Sequence, residues 1–273
     1  PLTIVHRTPL DASRSKTQGL TALPFEKGLF RTSAGSSSLE SAVIQTPAPF
    51  DDLVGSWNAD LPKDASLEFQ VRVRSGGAWS SWFSLGRAEG MRWTSAERQD
   101  NPAGFVDVDT LKLHSPGDAF QYRVAIKTQG RAATLRLVAV AVSAGGTPAA
   151  TPTMPGPWTR EITVAPRSQM EEQEQYKHDI CSPTALSMAL ERWGRKLGTI
   201  EVAEGVRDSR TKIFGHWPFN AAFAGAQGLE AFVARLDSLD ELQEEIAAGR
   251  PVVVSVTFRP GELSGAPLNK TNG

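Results

Sequence analysis

Leu67-Glu68-Phe69-Gln70-Val71-Arg72-Val73-Arg74 alternates apolar and polar residues without a break. Side chains on a strand point to opposite faces in turn, so this pattern describes a strand with one dry face and one wet face. The same period recurs downstream. Phe120, Tyr122, Val124 and Ile126 alternate with Gln121, Arg123, Ala125 and Lys127, and Val106 and Val108 alternate with Asp107 and Asp109. The run Leu135 to Val142 begins in alternation and changes phase at Val138, which predicts a bulge or a strand covered on both faces. Gly76-Gly77, Pro102-Ala103-Gly104 and Ser115-Pro116-Gly117-Asp118 read as turns between strands. Several strands without a helical period predict an antiparallel β-sandwich over residues 41–142, with a jelly roll as one arrangement.

The flanking sequence has a different texture. Residues 1–40 are polar and in places rich in Ser and Gly, and read as an extended arm pinned by Phe25, Leu29 and Phe30. Residues 143–159 are dominated by Pro, Gly, Thr and Ala and read as a linker. Residues 160–273 then read as a second, α+β domain. Leu186, Ala189, Leu190 and Trp193 recur at helical spacing over Thr184 to Trp193, and Gly194 can end that helix. Pro218 to Ala226 reads as a helix, and Leu229 to Leu236 as a short strand. Ser238 with Glu241 forms a capping box opening a helix whose Leu239, Leu242 and Ile246 should face inward. Pro251 to Phe258 reads as a buried strand.

Composition narrows the function classes. The 273 residues are 40% hydrophobic and 22% charged, enough for a buried core in one large domain or two ordinary ones. A net charge of −1 and the lack of a Lys/Arg run give no electrostatic case for nucleic acid. No apolar run approaches the ~18 residues of a membrane span. The first residue is Pro1 rather than Met, which fits a processed or an engineered terminus. The surface-type β-module in the N-terminal half points to an extracytoplasmic bacterial protein, secreted, periplasmic or in the cell envelope.

The chemistry concentrates in Asp179-Ile180-Cys181-Ser182-Pro183-Thr184-Ala185-Leu186-Ser187-Met188-Ala189-Leu190. Cys181 is the only cysteine, so it has no internal disulfide partner. It is either a small buried hydrophobe or a reactive thiol. A helix start favours the second, because free N–H groups and the positive end of the dipole stabilise a thiolate there. Pro183 fits the first turn, where its missing N–H would have no intrahelical partner. Gln169 lies twelve residues upstream, and its amide can donate to a developing oxyanion beside the Cys181 N–H. Gln173 and Gln175 are alternatives for that role. His178 reads as a solvated loop residue, and His216 as a packing or capping residue. His6 lies in the arm and His114 in the β-domain. No histidine pair has zinc spacing, so neither a metal nor a cofactor is expected.

Val164-Ala165-Pro166-Arg167-Ser168-Gln169, the segment Cys181 to Leu190, and Trp193-Gly194 together resemble the bacteriocin-processing (double-glycine leader) peptidase-like family. Trp217-Pro218-Phe219-Asn220, Gly228-Leu229-Glu230-Ala231 and Ala248-Gly249-Arg250-Pro251-Val252-Val253-Val254-Ser255 extend the likeness over roughly residues 160–273. It implies a papain-like cysteine peptidase fold, Cys181 as nucleophile, Gln169 in the oxyanion hole, and a peptide or protein substrate. In that family a histidine, then Asp or Asn, follows the Pro-Val-Val-Val strand. Here no histidine follows Pro251, so the chain as it stands is expected to be inactive. Truncation, proteolysis or a true pseudoenzyme would each account for this. An unpaired sheet edge favours truncation.

The tryptophans raise a binding alternative. Trp57, Trp79, Trp82 and Trp93 all fall in the β-domain, and Arg72 and Arg74 share one face of the neighbouring strand. Guanidinium–indole stacking is expected there, superficially similar to the tryptophan–arginine ladder of cytokine-receptor fibronectin modules. Trp79, Trp82, Arg72 and Arg74 are therefore candidate ligand-binding residues for cell-wall carbohydrate or an envelope protein, against ordinary packing. The corresponding alternative function is a non-catalytic envelope scaffold with a pseudo-peptidase domain. Glu171-Glu172-Gln173-Glu174 reads as a solvated loop.

Overall fold

A computed structural model of the chain describes residues 1–145, 160–236, 238–262 and 271–272. Most of the expected linker, residues 146–159, lies outside the described residues. The N-terminal half is built of strands, with one 3-10 turn at Phe25–Lys27: β1 (Leu2–His6), β2 (Lys16–Gln18), β3 (Leu20–Ala22), β4 (Phe30–Thr32), β5 (Gly35–Glu40), β6 (Ile44–Asp60) and β7 (Ser66–Ser75). These are followed by β8 (Ala78–Trp79), β9 (Phe83–Glu89), β10 (Arg92–Thr94), β11 (Asp100–Asn101), β12 (Gly104–Asp107), β13 (Thr110–Thr128) and β14 (Thr134–Ser143). Beyond residue 160 come α1 (Cys181–Arg192), α2 (Thr199–Val206), α3 (Trp217–Ala226), α4 (Leu239–Ala247) and the short pair β15 (Thr257–Phe258) and β16 (Thr271–Asn272).

The strands form an antiparallel β-sandwich, with the order β10-β9-β7-β13-β6-β14-β4-β3 along the main path. The alternation in β7 works as read: Leu67, Phe69, Val71 and Val73 are at most 1% exposed, while the intervening polar residues are half-buried. Phe69 stacks on Trp57 and on Tyr122 in the core. Gly76 and Gly77 both have positive φ, as a tight turn into β8 requires.

Ser115-Pro116-Gly117-Asp118 does not separate two strands. It lies inside β13, where the register against β6 and β7 shifts around Gly117. A bulge there bends a strand of 19 residues. A Cβ at Gly117 would come within 2.9 Å of the Phe50 ring, so the bend needs glycine. Val108 is also not a core residue. It sits in the β12–β13 turn with φ 57 and is 45% exposed, because β12 stops at Asp107. In the first 40 residues, β1 pairs along β14 and β5 along β13, so this segment is part of the sheet. Leu29 and Phe30 are buried, and Phe25 is exposed.

The phase change in β14 has both expected causes. Its register against β6 slips between Leu135 and Leu137, and Leu137 to Val142 are all buried. Ala141 packs with Val54, Ala221 and Val233, so part of the C-terminal half covers one face of the sheet. The helix α3 provides that cover. Phe219 is 1% exposed and meets Trp57 edge-on, Trp93 in a stack and the His216 ring at 4.7 Å between centroids. Asn58, fully buried in β6, donates to the carbonyls of Ala221 at 3.2 Å and Ala231 at 2.8 Å and accepts from the Ala231 N–H at 3.0 Å. A Cβ on Gly225 would approach Asn58 to 2.7 Å, so this contact needs a glycine in α3.

Leu229 to Leu236 forms no strand. Its alternate N–H groups are taken by side chains of the sandwich: Ala231 by Asn58, Val233 by Ser56 and Arg235 by Thr3. An extended segment satisfied this way needs no strand partner. Helix α4 is present and capped by Ser238, which accepts from the Glu241 N–H. No residue of α4 is buried, however: Leu242 and Ile246 are half-buried, and Leu239 is 64% exposed. The expected buried strand Pro251 to Phe258 is not formed either. Val253, Val254 and Val256 are exposed, and only Thr257–Phe258 pairs, with Thr271–Asn272. An apolar run becomes a strand only where another strand meets it.

Candidate active site

Cys181 is the first residue of α1, and it is exposed. The residues on either side are held. Ile180, the capping residue, is fully buried with Ala203 and Phe214, and its carbonyl accepts from the N–H and hydroxyl of Thr184 at 2.9 and 2.7 Å. Ser182 donates its hydroxyl to Asn220 Oδ1 at 3.1 Å, and Pro183 is buried. The backbone therefore presents the thiol outward while the helix start is fixed beneath it. Among the described residues the Cys181 side chain has no disulfide.

Gln169 opens a short 3-10 turn, Gln169–Glu171, capped by Ser168. Its side-chain N–H donates to the Lys177 carbonyl at 2.8 Å, in the loop that leads into α1. Gln175 donates to Gln173 Oε1 at 3.2 Å, so those two amides engage one another. His178 is exposed, with Glu174 at 3.7 Å. His6 pairs with the Tyr122 hydroxyl at 2.6 Å, and His114 lies 3.6 Å from Asp100.

Sequence reasoning missed a buried hub beside this site. Asp208 is 0% exposed and lies between the sandwich and the helices. Its carboxylate accepts from the Ser95 N–H at 2.9 Å, the Ser95 hydroxyl at 2.6 Å, the Arg210 N–H at 3.1 Å, the Thr211 N–H at 3.0 Å and the Thr211 hydroxyl. Burial pushes its pKa up, but the donations from Ser95, Thr211 and Arg210 outweigh this and hold it far below the usual carboxylate range. His216 Nε2 lies 3.4 Å from Asp208 Oδ2, an ion-pair distance, but neither ring nitrogen makes a hydrogen bond among the described residues. Burial lowers the His216 pKa, against the pull of Asp109 and Asp208. Arg210 adds donations to the Ser95 and Ala96 carbonyls, and Trp93 Nε1 donates to the Gly205 carbonyl at 2.6 Å. The turn Asp208-Ser209-Arg210-Thr211 carries an Asp-to-Thr spacing typical of side-chain capped turns, which is the signal that was available.

The tryptophan–arginine stack is also real. Arg72 lies over Trp79 at 5.0 Å and Trp82 at 4.8 Å, Arg123 over Trp82 at 4.0 Å, and Arg74 over Trp79 at 6.0 Å. The guanidinium groups are held from outside by Asp118 on Arg74, Gln121 on Arg72 and Glu40 on Arg123.

Among the described residues no group of three His, Cys, Asp or Glu converges as a metal site, and no helix is long and apolar enough to cross a membrane.

The molecule is thus an antiparallel β-sandwich carrying a small helical part in which an exposed cysteine opens a helix. Residues 18–145 match the family model of the peptidase C39 N-terminal domain, and residues 161–273 match that of the peptidase C39-like family. Side by side, the two matches support a C39 cysteine peptidase family for this chain. No curated protein matches it. Among solved structures it is similar to the C-terminal CBM6 of LamC, a marine laminarinase from Zobellia galactanivorans, at 11% identity and TM-score 0.28, over 51% of this chain and 98% of that one. It is also similar to the xylan-binding module CBM15, at 15% identity and TM-score 0.28, over 54% of this chain and 99% of that one. A third is TmCBM61 in complex with β-1,4-galactotriose, at 14% identity and TM-score 0.25, over 50% of this chain and 86% of that one. At these TM-scores the likenesses carry no argument about this chain.

Proposed function

We propose that the protein is a secreted or cell-envelope bacterial cysteine peptidase that hydrolyses peptide bonds through Cys181. The observation that carries this reading is an exposed thiol at the first residue of a helix whose neighbours on both sides are fixed. The thiolate attacks the scissile carbonyl carbon. The electron pair moves to the carbonyl oxygen, which the Cys181 N–H and the Gln169 amide receive. Gln169 would turn from the Lys177 carbonyl to do so. The base, following the resemblance, is an imidazole C-terminal to residue 273. Having taken the Cys181 thiol proton, it gives that proton to the leaving amine as the tetrahedral adduct collapses to a thioester, then takes a proton from the water that releases the acid and the thiolate. A double-glycine leader is the substrate motif the resemblance suggests. No cofactor enters this scheme.

The second reading is a non-catalytic envelope scaffold whose β-sandwich binds carbohydrate or protein through Trp79, Trp82, Arg72 and Arg74. Those side chains already satisfy one another, which favours packing over a sugar platform.

In a form of the protein that carries the histidine, Cys181→Ala is expected to abolish hydrolysis of a double-glycine peptide. Gln169→Ala is expected to lower kcat by roughly 10²–10³-fold. Undiminished cleavage by Cys181→Ala would refute the mechanism. Tight peptide binding without turnover by that same form would establish the scaffold.

A further inference from the structure

We propose that Asn220 is the positioning residue of the cysteine site and acts through Ser182. The proposal rests on the cysteine chemistry above. Helix ends fray, and α1 lacks a cap of its own, since Ile180 has no side-chain acceptor for the free N–H groups. Those N–H groups lie at the end of α1 that carries Cys181, so the first turn has to be held by something else. Asn220 does this from α3. It is 7% exposed, and both ends of its amide are engaged. Its NH₂ donates to the carbonyls of Phe214 at 3.0 Å and His216 at 2.8 Å, and its Oδ1 accepts from the Ser182 hydroxyl at 3.1 Å. The two carbonyl acceptors fix which end of the amide faces Ser182, because the flipped amide would set oxygen against oxygen.

The other end of this linkage is rigid. The Trp217 N–H at the start of α3 donates to Asp109 Oδ2 of the sandwich at 3.2 Å. Phe219 is wedged between Trp57 and Trp93, and Asn58 holds the Ala221 carbonyl. A continuous path therefore runs from the sandwich through α3 and Asn220 to Ser182, the residue next to the nucleophile. On this account the N-terminal half helps to build the active site.

The test uses the full chain, whose single cysteine makes alkylation by iodoacetamide specific for Cys181. The readouts are the ratio of alkylation rates at pH 6 and pH 9, and the thermal midpoint. Ser182→Ala is the primary variant, because Ser182 is only half-buried and its loss leaves no cavity in the core. We expect Ser182→Ala and Asn220→Ala each to lower the ratio by roughly three- to fivefold. The double variant should go no further, since both cut the same link. Ser182→Thr, which keeps the hydroxyl, should retain the wild-type ratio. A ratio unchanged in both alanine variants, whatever happens to the thermal midpoint, would overturn the positioning role while leaving the cysteine reading intact. A wild-type thiol that labels no faster than free cysteine at pH 6 would overturn both.

Discussion

Asp208→Ala is expected to lower the unfolding free energy by about 3 kcal/mol or more, read as a shift of the denaturation midpoint in urea. The residue is fully buried and accepts five hydrogen bonds from Ser95, Arg210 and Thr211. Each buried donor left without an acceptor costs roughly 1–3 kcal/mol, and alanine strands several at once. Asp208→Asn should cost less, since one oxygen remains to accept. The pH dependence follows from the same cluster. The depressed Asp208 carboxyl contributes stability that is complete above its unfolded value of 3.8 and is lost as pH falls through its lower folded value. His216 is depressed too, so below 6.5 the unfolded chain takes up a proton that the folded chain refuses. Stability therefore falls with pH below 6.5, first through His216 and much later through Asp208. The charged groups facing the ring are Asp109, Asp208 and Arg210. The thermal midpoint should drop between pH 7.5 and 5.5, and His216→Gln should flatten that drop. A loss below 1 kcal/mol in Asp208→Ala would contradict the hub.

Phe219→Ala should be comparably severe, at about 3–5 kcal/mol. The ring is 1% exposed and fills the space between Trp57, Trp93 and His216. Removing it opens a cavity where α3 meets the sandwich. Trp57 and Trp93, both buried, would then gain access to water. A red shift of tryptophan emission should accompany the loss of stability, and Phe219→Leu should show less of both. Unshifted emission with stability within 1 kcal/mol of wild type would mean that α3 is held elsewhere.

These two sites show where sequence reading works and where it stops. The period of two in Leu67 to Arg74 set out the sandwich, because burial of one face of a sheet writes itself directly into alternation. The α1 and α3 helices were readable from Leu186, Leu190 and Pro218 for the corresponding reason. Helix α2 was missed, although Val202, Ala203 and Val206 carry a helical stripe, and Glu201 stands three residues after Gly198. The failures share another cause. The Leu229 to Leu236 segment has strand composition, but its N–H groups find Asn58, Ser56 and Thr3, residues far away in the chain. Asp208 and Asn220 look like ordinary surface residues in the sequence. Only folding brings Ser95 to the first and Ser182 to the second. Cys181 was visible because composition isolates it, and its exposure at the helix start is a property of the structure.

The most direct measurement is the second-order rate of iodoacetamide alkylation of Cys181 in the intact chain at pH 6, beside a small model thiol. An activated nucleophile predicts a rate clearly above the model thiol, abolished in Cys181→Ser. A rate equal to or below it would identify Cys181 as an inert surface thiol, and would contradict the peptidase account.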